Sequence, residues 1–298
     1  MFRIGFTSPS GPPDVSGLAA QMDKLDKLGL DSVELPFYWL DLLAGAKRRP
    51  LACRRLLEAC RNRPYGFSTH LPLSINFGDA SERLPLHFDV FRASLDLAAE
   101  AGAVHAVIHT AIFRPATGVS VADGHARQRD YLARCGDEAR ARQMVVCVEN
   151  LFLWSDLTAT ASMGELAGEL AAVNHPQVRA TFDVSHGYIH ATQLGANFLE
   201  EAAALAPFAD HVHMHDSFGR PDRDEYYYSE SERLAFGAGD LHLTVGRGSI
   251  PWADLAKKCR FPRQALFNIE LNDRYFADEA PECVDAVRSV MTKAQSTP

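Results

Sequence analysis

The chain has 298 residues, enough for one large domain or two ordinary ones. Its 47% hydrophobic and 23% charged residues are ordinary for a globular protein, and a formal net charge of −8 argues against loose binding to nucleic acid or an anionic membrane surface. No apolar run approaches the roughly 18 residues of a transmembrane helix, so no membrane partner is expected.

The first strand is expected in FRIGFT at 2–7. Leu18, Met22, Leu25 and Leu28 follow at helical spacing, with Gly29 as a stop. SVELPF at 32–37 and YGFSTH at 65–70 read as the second and third strands. Phe88, Phe91, Leu95 and Ala98 mark a helix that stops at Gly102, before the fourth strand, AVHAVIH at 103–109. MVVCVEN at 144–150 is the fifth strand. Leu166, Leu170 and Val173 mark a helix ending at Asn174. VRATFDV at 178–184, HVHMH at 211–215 and ALFNIEL at 265–271 complete the strands. All are short and rich in apolar or β-branched residues, as buried parallel strands are. Eight βα units of roughly 37 residues predict an α/β fold, one (β/α)8 TIM barrel over 1–298. The longest irregular stretch, 216–249, is expected to lie over the C-terminal ends of the strands as part of a substrate wall. Six cysteines without a CxxC pair read as reduced structural thiols, and MFRIGF reads as a strand rather than a leader, so a cytoplasmic protein is expected.

Six apolar runs close on a ligand-type side chain: FSTH, AVIH, VCVE, ATFD, HVH and FNIE. A carboxylate or imidazole at the end of a buried strand is costly unless a metal or a hydrogen-bonding partner takes it. His70, His109, Glu149, Asp183, His186, His213, Asp240, His242 and Glu270 are therefore predicted to share a polynuclear metal site. Alternation places Glu149 with Val145 and Cys147, and Glu270 with Leu266 and Asn268, on inward faces. Glu149, Asp183, His213 and Glu270 should then converge from the fifth to eighth strands, a donor set that suits zinc, manganese or iron. Substrate contacts are expected from Glu34, Trp154, Tyr188, His215 and Arg247, and Asp216, just beyond His215, is expected to support a ligand or contact the substrate. His105 and His211 read as core histidines; His87, His125, His175 and His190 are expected at the surface.

This pattern resembles the xylose-isomerase-like TIM-barrel superfamily, which holds sugar isomerases and epimerases together with endonuclease IV. In the epimerase branch the resemblance implies one metal on Glu149, Asp183, His213 and Glu270, with the two glutamates moving a proton at a sugar carbon. The endonuclease IV branch is resembled by HLPLSINFG at 70–78, His109, DVSH at 183–186 and DLHLTVGRGSI at 240–250. There the resemblance implies two or three divalent metals, zinc first and manganese or iron as alternatives. Glu149 would bridge a first metal, on His70 and His109, to a second; His186, Asp240 and His242 would hold a third. The expected function is a multinuclear metal hydrolase cleaving a phosphodiester or related ester with metal-activated water. The alternative is a single-metal sugar isomerase or epimerase. The expected partner is a small-molecule or nucleotide-like substrate. DNA is not favoured by the charge, nor by the segment ENLFLWSDLTAT, which replaces the Gln-Gly-Ser-bearing segment of endonuclease IV. Oligomeric state leaves no mark in the sequence.

Overall fold

A computed structural model describes residues 2–222 and 226–296, so residues 223–225 of the long connection lie outside the described residues. Eight parallel strands close into a barrel: β1 (Arg3–Thr7), β2 (Ser32–Pro36), β3 (Gly66–His70), β4 (Ala103–His109), β5 (Val145–Glu149), β6 (Val178–Asp183), β7 (Ala209–Met214) and β8 (Leu266–Ile269). Each strand pairs with its neighbours in sequence, and β8 closes on β1 through Arg3 opposite Leu266 and Phe6 opposite Ile269. Each predicted strand agrees with the observed one to within two residues at either end.

Helices α1 (Leu18–Leu25), α2 (Pro50–Cys60), α3 (Leu84–Glu100), α4 (Val121–Ala141), α5 (Met163–Val173), α6 (Val184–Leu194), α7 (Phe198–Leu205), α8 (Glu230–Phe236), α9 (Trp252–Lys258) and α10 (Asp273–Met291) complete the described helices. Their apolar faces cover the barrel: Met22, Leu25, Leu56, Phe91, Leu95 and Leu166 are all fully buried. α5 starts with a capping box, the Ser162 side chain accepting from Glu165 N while the Glu165 carboxylate accepts from Ser162 N. The 216–249 segment is less irregular than expected, since α8 interrupts it and Ser229 caps that helix.

Two of the histidines expected at the surface are buried. His87 faces inward from α3 beside Phe88 and Phe91, and its Nε2 lies 3.1 Å from Asp79 Oδ2. His190 is buried on the inner side of α6. The polarity of these rings suggested solvent, but their position on the helix face decides. All six cysteines are buried and free. Among the described residues, no helix is long and apolar enough to cross a membrane.

Candidate metal centre

The strand registers bring the ligand-type residues to one end of the barrel. His109 on β4 stands opposite Glu149 on β5, and Asp183 on β6 stands opposite His213 on β7. α6 follows β6 without a loop because Asp183 caps it, its Oδ1 accepting from His186 N at 2.7 Å. That cap fixes the three-residue spacing of Asp183 and His186. The same carboxylate keeps Oδ2 towards the mouth, 3.0 Å from His215 Nε2 and 3.6 Å from His213 Nδ1.

Asp240 and His242 come from the connection after β7. An antiparallel bridge between Asp216 and Leu243 folds this segment back over the mouth. The fully buried Asp216 holds it there. Its Oδ2 accepts from Gly246 N at 2.7 Å and Trp252 Nε1 at 2.8 Å, and its Oδ1 accepts from Ser217 N at 2.9 Å. Gly248 packs so closely that a Cβ there would lie 2.2 Å from Asp216 Oδ1. His242 has a left-handed backbone, φ +49°, a conformation that a non-glycine residue keeps only when its surroundings enforce it.

Around His213 Nδ1 three carboxylate oxygens converge: Glu149 Oε1 at 3.4 Å, Glu270 Oε2 at 3.4 Å and Asp183 Oδ2 at 3.6 Å. One ring nitrogen has one proton at most and cannot serve three acceptors. These separations match the edge of roughly 3.4 Å between ligands in a tetrahedron with ~2.1 Å bonds, as around zinc. Glu149 faces two ways. Its Oε2 lies 2.9 Å from His70 Nε2 and 3.6 Å from His109 Nε2, while Oε1 lies 3.1 Å from His186 Nδ1. Asp240 Oδ2 lies 3.2 Å from His186 Nε2 and 2.6 Å from His242 Nε2.

Two rings are oriented for ligation: His70 Nδ1 is 3.2 Å from Leu71 O and His242 Nδ1 is 2.9 Å from Glu270 O, whereas His186 Nδ1 lies 3.1 Å from both Asn150 O and Glu149 Oε1. A ring that donates Nδ1–H to a carbonyl presents the Nε2 lone pair, the arrangement that orients imidazoles on metals. His213 is held the other way round, its Nε2 3.3 Å from Glu34 Oε2. Glu34 is fully buried beneath it, accepting also from Thr7 Oγ1 at 2.9 Å.

Charge balance points the same way. Burial opposes ionisation of Glu149, Asp183 and Asp240, yet the surrounding imidazoles outweigh it and hold all three carboxyls below their ordinary range. Burial prevails at Glu270 and raises its carboxyl. Burial also favours neutral rings, but the carboxylates around His213 and His186 raise both well above an ordinary histidine. Against the same opposing burial, Asp240 lifts His242 to about 9. Burial instead lowers His109 to about 3. Protons on the rings thus balance the carboxylates, a role a divalent cation fills with the lone pairs of the same atoms. Five groups of three such residues have ligand atoms within 4.8 Å of one another, so the donor set fits one or more metal ions.

The structure brings together all nine predicted ligand positions. His215 joins them; it is fully buried, its ring stacks on His242 at 4.0 Å, and its Nδ1 has no hydrogen-bond partner among the described residues. The other expected substrate contacts separate. Glu34 lies below the cluster rather than in its mouth. Trp154 is half-buried beside Phe152, which packs on His186. The Tyr188 ring packs on Phe198. Arg247 pairs with Glu279 and Glu282 on α10.

Sequence reasoning passed over two residues. Asn150 bonds both backbone groups of Asp183, accepting from its N at 2.8 Å and donating to its O at 2.9 Å. Tyr38 sets its ring edge-on to His70 at 5.2 Å. A signal existed for Asn150, the polar residue following Glu149 in VEN; Tyr38 depends on long-range packing. Asp216, expected to support a ligand or contact the substrate, takes the supporting place by anchoring the Asp240–His242 segment.

A closed barrel of eight parallel strands, with clustered carboxylates and imidazoles at their C-terminal ends, defines a TIM-barrel protein with a candidate metal site where barrel active sites lie. The family model described as "Xylose isomerase-like TIM barrel" matches residues 22–292. The chain belongs to this family. No curated protein matches it. Among solved structures it is similar to a D-tagatose 3-epimerase-like protein at 18% identity, covering 98% of this chain and 99% of that one, TM-score 0.70. A 3-keto-D-glucoside 4-epimerase from E. coli follows at 14% identity, 98% and 100% coverage, TM-score 0.66. A Thermus thermophilus protein soaked with ZnCl2 is similar at 21% identity, 98% and 97% coverage, TM-score 0.64. Several further similar structures are named as D-psicose or D-allulose 3-epimerases.

Proposed function

We propose that the chain is a metal-dependent isomerase or epimerase of a sugar or keto-sugar. The observation that carries this reading is the placement of Glu149 and Glu270, which approach His213 Nδ1 from β5 and from the end of β8, each at 3.4 Å. Two carboxylates flanking one substrate position can exchange a proton at a carbon beside a carbonyl, one removing it and the other returning it. A divalent cation on Glu149, Asp183, His213 and Glu270 would polarise the carbonyl and hydroxyl oxygens of the substrate. Asp183 and His213 hold that geometry, Asn150 and Glu34 fix their orientation, and the half-buried Trp154 offers an apolar face near the mouth. The epimerase names among similar folds favour this reading over the hydrolase expected from the motif pattern. The net charge of −8 also favours a small substrate over a polyanion.

The test is deuterium incorporation from D2O into a panel of ketoses and aldoses by the metal-loaded protein. Incorporation at one carbon is expected, with a loss of about 10²–10⁴-fold in Glu149→Gln and in Glu270→Gln. Absence of exchange across the panel, in protein shown to hold metal, overturns the reading.

A second reading, hydrolysis of a phosphate ester, is favoured by one observation. Glu149 Oε2 faces His70 and His109, and Asp240 Oδ2 lies between His186 and His242, two ligand groups that a one-metal isomerase leaves without a role. Clustered divalent cations there would activate water and stabilise a leaving oxygen. Elemental analysis separates the readings. More than one equivalent of metal per chain, reduced in Asp240→Ala/His242→Ala, together with ester cleavage, supports the hydrolase. A single equivalent that this double variant leaves unchanged excludes it.

A further inference from the structure

Beside His109 the barrel mouth opens into a cavity of about 270 Å³, with Arg83, Arg114, Ser74, Thr117 and Trp154 among its walls. We propose that this cavity is an anion subsite, and that the sugar acted on carries a phosphate or carboxylate substituent; the sugar itself rests on the isomerase or epimerase reading above. Four observations lead there. His109 belongs to the ligand cluster, so a molecule seated in the cavity reaches the cluster without crossing solvent. The walls carry two guanidinium groups and one carboxylate, Asp79. That carboxylate is already committed: Oδ2 meets His87 Nε2 at 3.1 Å and Arg83 Nε at 2.9 Å, and Oδ1 accepts from Ala80 N at 2.8 Å. Arg83 meets Asp79 through Nε at 2.9 Å and Arg114 meets Asp156 through Nε at 3.2 Å, and among the described residues no hydrogen bond takes the terminal nitrogens of either.

Two guanidinium forks with hydroxyls beside them are what a tetrahedral phosphate or a planar carboxylate requires, because each fork can donate two parallel hydrogen bonds to one oxyanion. The volume lies near the lower end of ligand pockets, about 300 Å³, and so suits a monosaccharide rather than a polymer. Arg247, the arginine singled out by sequence, is taken up by α10 and offers no such contact.

The experiment uses the metal-loaded protein and Arg83→Gln/Arg114→Gln, whose substituted side chains are largely exposed and whose metal content serves as the control for folding. The readout is the ratio of kcat/KM for a ketose phosphate to that for its neutral parent. The expected result is a ratio above ten that falls at least tenfold in the double variant, mainly through KM. An unchanged ratio overturns the subsite. If neither sugar is turned over, the isomerase reading has failed, and binding decides the subsite alone. Calorimetric titration with inorganic phosphate and, separately, with glucuronate should show at least tenfold weaker binding in the double variant for one of the two, which also identifies the oxyanion. Equal affinity in both proteins for both probes overturns the proposal.

Discussion

At the scale of single residues, burial decides which histidines carry charge. His105 lies on β4 inside the barrel, 5% exposed, with its Nδ1 lacking a hydrogen-bond partner among the described residues. Burial, reinforced by Arg3, lowers its pKa to about 4. A depressed folded-state value means that the unfolded chain binds the proton more tightly. Stability from the neutral ring is therefore complete above the unfolded pKa of about 6.5 and is lost as pH falls through about 4, amounting to about 3 kcal/mol. Thermal unfolding from pH 7 to 4, on chelator-treated protein, should show a shallower acid decline in His105→Gln than in the parent chain. Parallel declines would show that the ring is already protonated in the fold or never titrates differently from the unfolded chain.

At the scale of elements, the strand that carries a ligand and the segment that returns it obey different rules. A strand-end ligand is placed by alternation and register, which explains why Glu149, Asp183, His213 and Glu270 could be read as convergent from the sequence. The Asp240–His242 segment has no such periodicity. Its position depends on Asp216, whose carboxylate gathers Ser217 N, Gly246 N and the Trp252 indole from points up to 36 residues away. Its place beside His215 marks Asp216 as a support or a substrate contact, but no local pattern announces which donors it gathers, and Arg247 was misleading for the same reason: its partners on α10 are distant in sequence. Asp216→Asn presents an amide NH2 to donors on one side, so it leaves at least one buried donor without an acceptor. A charge-assisted hydrogen bond of this kind is worth about 1.5–3 kcal/mol. The expected outcome is a lower unfolding midpoint in urea together with reduced metal occupancy by elemental analysis. Full occupancy at parental stability would mean that the segment holds its place without Asp216.

At the scale of the whole molecule, the barrel combines an apolar wall with a charged mouth, and the two make opposite demands. Fully buried Phe6, Phe91, Phe182 and Phe267 stabilise the wall in any solvent condition that keeps water out. The mouth places Glu149, Asp183, Asp240 and Glu270 within reach of one another, where without a cation only protons on the histidine rings offset their repulsion. A cation that binds the folded mouth and not the unfolded chain stabilises by mass action, about 4 kcal/mol at a free concentration 1,000 times its dissociation constant. For a chain of this size that is a shift of roughly 6 °C in Tm. Chelation should therefore lower the Tm by that order, and readdition of a divalent metal should restore it. The effect should grow as pH rises through about 9, where His242 loses the proton that offsets Asp240 in the metal-free protein. A Tm unmoved by chelation, in protein shown by elemental analysis to have lost its metal, would mean that the mouth is built to stand on ring protons alone and that the ligand geometry serves the fold rather than a metal.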